Sequence, residues 1–169
     1  MRSSDKALTV REVVLFGILG AVTFAAKYVM SFLPNIEPVS LMVMLFAVVF
    51  GKKWVYPVYL YVMMEILFYG ISLWNINYLY IWAILLLLAI ALRDMRGSLG
   101  WAVLSGAFGL MFGVLCMPVD ILIGGFGYAA SKWVSGIPFD LAHCAGNFVI
   151  AALLFKPMRA LLEKLYSKV

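Results

Sequence analysis

Long stretches of this chain carry almost no charge. Between Glu12 and Phe155 the charged residues fall in a few short breaks or stand alone in apolar runs. Such runs cannot face water, and in a bilayer a helix satisfies its own backbone groups. Over 169 residues the chain is 66% hydrophobic and 12% charged, where a soluble domain carries about a quarter charged residues. The expected class is all-α: a polytopic membrane protein with a bundle of six transmembrane helices, as one domain over residues 1–169.

The breaks set the segments. A helix needs about 20 apolar residues to cross the hydrocarbon core. The first span runs from about Glu12 to Leu33 and stops at Pro34. The second, Val39 to Phe50, is only a dozen residues, so it is short, tilted or begins inside the protein. After Gly51-Lys52-Lys53 a third span covers about Trp54 to Leu73, with Pro57 in its first turn, where a missing N–H is tolerated. Residues 74–80 (WNINYLY) read as an uncharged connection. A fourth span follows to Leu92, a fifth covers Leu99 to Ile123, and residues 124–135 read as a glycine-rich loop. A sixth, from Pro138 to Phe155, precedes a basic tail. No stretch resembles a signal peptide with a small-residue cleavage site, so the first segment is expected to remain in the mature protein.

The net charge of +5 reads as topology and not as a nucleic-acid footprint. With six spans, Arg2, Lys6, Arg11, Lys52, Lys53, Arg93, Arg96, Lys156, Arg159, Lys164 and Lys168 share one side, eleven of the thirteen basic residues. The positive-inside rule then makes the N-terminus and the C-terminus cytoplasmic, in a multi-pass protein of the cell membrane. Only Lys27 and Lys132 lie elsewhere. No Gly-rich phosphate loop is present, so any use of ATP rests with partners. Cys116 and Cys144 read as small packing residues, and one histidine with two separated cysteines matches no metal-ligand spacing.

At 1.5 Å per residue, the remaining ionisable and amide groups gather at the outer level. Lys27 lies about 22 Å from the cytoplasmic start of its span. Glu37 sits in the first external turn and Glu65 in the middle to outer half of the third span. Trp74, Asn75, Asn77 and Tyr78 occupy the second external turn. Trp82 lies just inside the fourth span, Asp120 near the outer end of the fifth, and Trp133 in the external loop. Asp140, His143 and Asn147 descend one face of the sixth span at i, i+3 and i+7. Ionisable groups inside a membrane usually pair or line a cavity, so this level reads as an outward-facing polar pocket with aromatic walls. Other roles stay open at single positions. Trp74, Tyr78 and Trp133 suit an interface belt, Lys27 can snorkel, Asp140 can serve a helix N-terminus, and His143 can be a satisfied interhelical hydrogen-bonder.

Two stripes of small residues allow close helix approach. Gly17, Ala21 and Ala25, widened by Gly20 and Ala26, mark the first span. Ser105, Gly109 and Gly113 mark the fifth. Each suits packing within the bundle or a docking face for a partner.

Taken with PNIEPV at residues 34–39, the run GIPFDLAHCAGNF at 136–148, Lys156-Pro157 after it and the six-span size, the stripe on the first span resembles that of the S component of energy-coupling factor (ECF) vitamin transporters. The resemblance covers nearly the whole chain, and the 136–148 run is its most specific part. It implies a substrate-binding, non-enzymatic membrane subunit of an ABC importer, without cofactor, in the bacterial cytoplasmic membrane. It implies partnership with a T component and two cytoplasmic ATPases, docked through Ala21 and Ala25 with Gly17 one turn earlier. It also implies an external-side pocket for a water-soluble vitamin or precursor. Few charges and stacking walls suit a small heteroaromatic such as a pyridine or pyrimidine compound, neutral or cationic, since Glu65, Asp120 and Asp140 outnumber Lys27. One competing reading is a stand-alone proton-coupled carrier or channel with Glu65 and His143 as relay. Another is an intramembrane enzyme using Asp140 and His143, which no nucleophile motif accompanies.

Overall fold

The computed structural model describes residues 7–169; Arg2 and Lys6 lie outside the described residues. All regular structure among them is helical: α1 (Val10–Val29), α2 (Val39–Phe50), a 3-10 turn (Gly51–Trp54), α3 (Val55–Tyr69), α4 (Leu73–Ala91), α5 (Ser98–Leu110) and α6 (Phe112–Tyr166). Four stretches are long and apolar enough to cross a membrane: Val10–Val29, Val39–Tyr69, Leu73–Ala91 and Ser98–Tyr166.

Two of these four double back. Gly125, at φ 77° and ψ 177°, is the one non-helical residue inside α6. A backbone in that region is open to glycine and strained for other residues. It turns the chain so that the arm 126–166 returns along α5 and the arm 112–124. The small residues permit this approach. A Cβ on Gly109 would lie 2.8 Å from the backbone of His143, and one on Gly106 would lie 3.3 Å from the Cys144 carbonyl oxygen. The stripe on the fifth span is thus consumed by packing within the bundle. Val39–Tyr69 reverses at the 3-10 turn: Ser40 meets Asn147, Phe50 meets Phe16, and α3 climbs again until Glu65 meets Lys27.

Local sequence explains the ends. Thr9 caps α1: its Oγ1 accepts from the Glu12 N–H at 3.1 Å, and Glu12 Oε2 accepts from the Thr9 N–H at 3.0 Å, a reciprocal capping box. Ser72 does the same for α4, where Asn75 Oδ1 accepts from the Ser72 N–H at 2.6 Å. Residues 74–80 are therefore the opening turns of α4 and not a connection. Residues 126–135 likewise belong to a helix and not to a loop.

The twelve-residue α2 is the centre of the bundle. Ten of its residues are buried, which explains why it is apolar on every face. The bundle closes at the end where α1 begins. Glu12 Oε1 accepts from Lys53 Nζ and, at 3.2 Å, from the Tyr166 hydroxyl. Phe16 packs on Phe50 at 5.1 Å, on Tyr56 at 5.9 Å and on Tyr166 at 6.3 Å between ring centroids.

Candidate functional site

The opposite end is open. A cavity of about 670 Å³ lies there between α1, α3, α4 and both arms of α6, roofed in part by the turn between α1 and α2. That volume falls within the range of small-molecule sites.

One wall is built on Lys27. Its Nζ donates to Glu65 Oε2 at 2.6 Å and to the Tyr78 hydroxyl at 3.0 Å, and it stands 5.0 Å from the centroid of the Tyr78 ring. The pairing comes from α1, α3 and α4 at one level, so Lys27 is engaged inside the bundle and does not snorkel. Glu37 joins this wall from the turn before α2. Burial pushes the Glu37 carboxyl above its ordinary range; the nearby Lys27 ammonium opposes this and the Glu65 carboxylate adds to it. The turn itself is pinned. Asn35, at φ 58°, donates through Nδ2 to the Phe139 carbonyl at 3.3 Å, and Ile36 packs against Gly146.

A second wall spans the hairpin of α6. Lys132 Nζ donates to Asp120 Oδ1 at 2.5 Å, across the turn at Gly125, and lies 5.7 Å from the Trp74 ring centroid. Trp133 follows on the same arm and also lines the cavity.

The third wall is formed where α5 gives way to α6. The chain breaks at Met111 and restarts at Phe112. The Gly113 N–H is donated to Asp140 Oδ1 at 3.1 Å. Asp140 lies within the arm 126–166 and not in the first turn of a helix, which overturns the helix-start reading. Its other oxygen, Oδ2, has no hydrogen-bond partner among the described residues, and neither has Glu65 Oε1. His143, one turn below, is 3% exposed and packs on Phe112 at 5.0 Å between ring centroids. Neither of its ring nitrogens has a partner among the described residues, so it is no satisfied interhelical hydrogen-bonder there. Unpartnered buried polar groups are costly and call for an explanation.

Ten of the thirteen expected site residues thus line one cavity: Lys27, Glu37, Glu65, Trp74, Asn75, Tyr78, Asp120, Trp133, Asp140 and His143. Three do not. Trp82 is fully buried beneath it, against Tyr61, Tyr78, Phe108 and Phe112. Asn77 accepts from the Tyr80 hydroxyl at 3.0 Å. Asn147 staples three helices, donating to Ser40 Oγ at 3.0 Å and the Ser105 carbonyl at 3.2 Å.

No family model, curated protein or solved structure matches this chain. Its own geometry therefore carries the functional reading.

Sequence reasoning left out Lys132, Cys116, Phe112, Gly113 and Phe139, all on the cavity wall. The overlooked signal for Lys132 was an opposite charge at Asp120 on the far side of Gly124-Gly125, close enough in sequence to meet across a turn. The stripe on α1 stands apart from this site. A Cβ on Gly17 would meet nothing within 4 Å, and Ala25 is exposed. Gly20 instead faces Leu60 and the Pro57 carbonyl, so it belongs to the buried side of α1. Gly17, Ala21 and Ala25 leave a shallow track on the outside of the bundle.

Proposed function

We propose that the chain is the substrate-binding membrane subunit of an ECF-type vitamin importer, an S component. It captures a small heteroaromatic vitamin or precursor on the outer side and releases it inward with a T component and two ATPases. The observation that carries this reading is the cavity at one end of the bundle, with aromatic walls and buried polar atoms that lack protein partners. Such a site holds a ligand by stacking and a few hydrogen bonds. The folded chain reverses direction at the 3-10 turn and at Gly125, which supports six crossings, and Lys52, Lys53, Arg93, Arg96 and the basic end of α6 are not among the residues that line the cavity. By the positive-inside rule the cavity faces outward and both termini are cytoplasmic. The uncovered track on α1 suits a helix of the T component, since small residues allow backbones to approach.

Ala21→Trp separates the two roles. It is expected to abolish ATP-driven uptake in cells while leaving ligand binding to the isolated subunit unchanged. Loss of binding in that variant would refute the docking role. Uptake into liposomes by the chain alone, without ATP, would favour a stand-alone carrier using Glu65 and His143.

A further inference from the structure

The cavity is asymmetric in what it lacks. Both of its ammonium groups are committed, Lys27 to Glu65 and the Tyr78 hydroxyl and Lys132 to Asp120. Four carboxylates face these two cations across the same cavity. The unsatisfied atoms on the wall carry the same bias: Glu65 Oε1 and Asp140 Oδ2 are acceptors, and His143 holds one acceptor in its neutral form. Donors and positive charge are therefore in deficit.

Asp140 is the best placed of these groups. It is 6% exposed and fixed through Oδ1 by the Gly113 N–H, which leaves Oδ2 free. A Cβ on Gly113 would collide with this carboxylate and lie 3.0 Å from Trp133 Cδ1, so the absence of a side chain there lets carboxylate and indole meet. With the Phe112 ring tilted at 57° against His143 one turn away, the carboxylate has aromatic neighbours on the cavity wall. Such surroundings favour a flat ring and, by ring-face electrostatics, a cation.

Resting on the binding-subunit reading, we propose that Asp140 and His143, framed by Phe112 and Trp133, receive the amino or protonated edge of an aromatic nitrogen heterocycle. Asp140 Oδ2 takes the N–H donor and Gly113 positions Asp140. The site selects aminated rings and rejects their carboxylate counterparts, because an anion would meet a carboxylate with no free cation to offset it.

Equilibrium dialysis of the purified full chain against an equimolar mixture of probes tests this. The probes are pyridine and pyrimidine rings carrying an aminomethyl, a carboxamide or a carboxylate group, and retained compounds are quantified by mass spectrometry. The wild-type chain should retain aminomethyl probes over carboxylate probes by about tenfold or more, the worth of one charge-assisted hydrogen bond. Asp140→Asn should erase that preference while keeping the carboxamide probes, and Asp140→Glu should restore part of it. Preferential retention of carboxylates, or an unchanged preference in Asp140→Asn, would overturn the proposal and leave the binding reading standing. Retention of no probe at all by the wild-type chain would overturn both. Should Asp140→Asn fail to fold, the wild-type preference still decides the ligand class, and Gly113→Ala, with Asp140 displaced, decides the place by the same loss.

Discussion

The two ends of the bundle handle buried charge in opposite ways. At the closed end Glu12 is satisfied on both oxygens, by Lys53 and Tyr166 on one and by the Thr9 cap on the other, under a lid of stacked aromatics. At the open end Glu65, Asp140 and His143, which line the cavity, each keep a buried atom without a hydrogen-bond partner among the described residues. Aromatic rings occur at both ends, but at one they pack on each other and at the other they frame empty space. Buried charge with full partnership holds a structure together, whereas buried charge with spare valence is arranged for something that arrives.

The largest expected effect tests the closed end. Phe16→Ala removes a ring that is 2% exposed and touches three others, so it should cost about 3–5 kcal/mol of stability. Reversible unfolding in mixed micelles would measure this. Ligand affinity of the folded fraction should not change; a loss of affinity without a loss of stability would break the division between the ends.

Smaller effects are expected within the open end. Glu65→Gln leaves the Lys27 ammonium without its carboxylate and should cost about 1–3 kcal/mol in the ligand-free protein. Glu37→Gln should stay within about 0.5 kcal/mol, because burial already disfavours the charged carboxyl. The sign with pH follows. A carboxyl raised in the folded state adds stability below its unfolded value, and that contribution is lost as pH rises through the folded value. Glu37→Gln should therefore gain on the wild type in melting temperature as pH rises above the ordinary carboxyl range. An opposite trend would show that Lys27 outweighs burial.

Much of this architecture was legible because glycine, proline and lysine punctuate the apolar runs. Composition misled where a local device overrode it. Asn75 and Asn77 in WNINYLY suggested a loop, yet the Ser72–Asn75 capping box starts α4 there. Three glycines and two serines between 124 and 135 also suggested a loop, yet only Gly125 leaves the helical region. For the site, helical rise gave depth, and depth sufficed to bring Lys27, Glu65, Asp120 and Asp140 to one level. It could not give rotation about each helix axis, which packing sets. Asn77, Trp82 and Asn147 are on the expected helices but turn toward neighbours and away from the cavity. The free oxygen of Asp140 was not readable at all, since it depends on how the fold brings the Gly113 N–H to the other oxygen alone.

Native mass spectrometry of the full chain, purified without added ligand from cells grown in rich medium, tests the central claim most directly. A stoichiometric small-molecule adduct is predicted, lost on denaturation and absent from a variant in which Asp140→Asn and Glu65→Gln are combined. A bare wild-type chain that no water-soluble vitamin can convert to an adduct would contradict it.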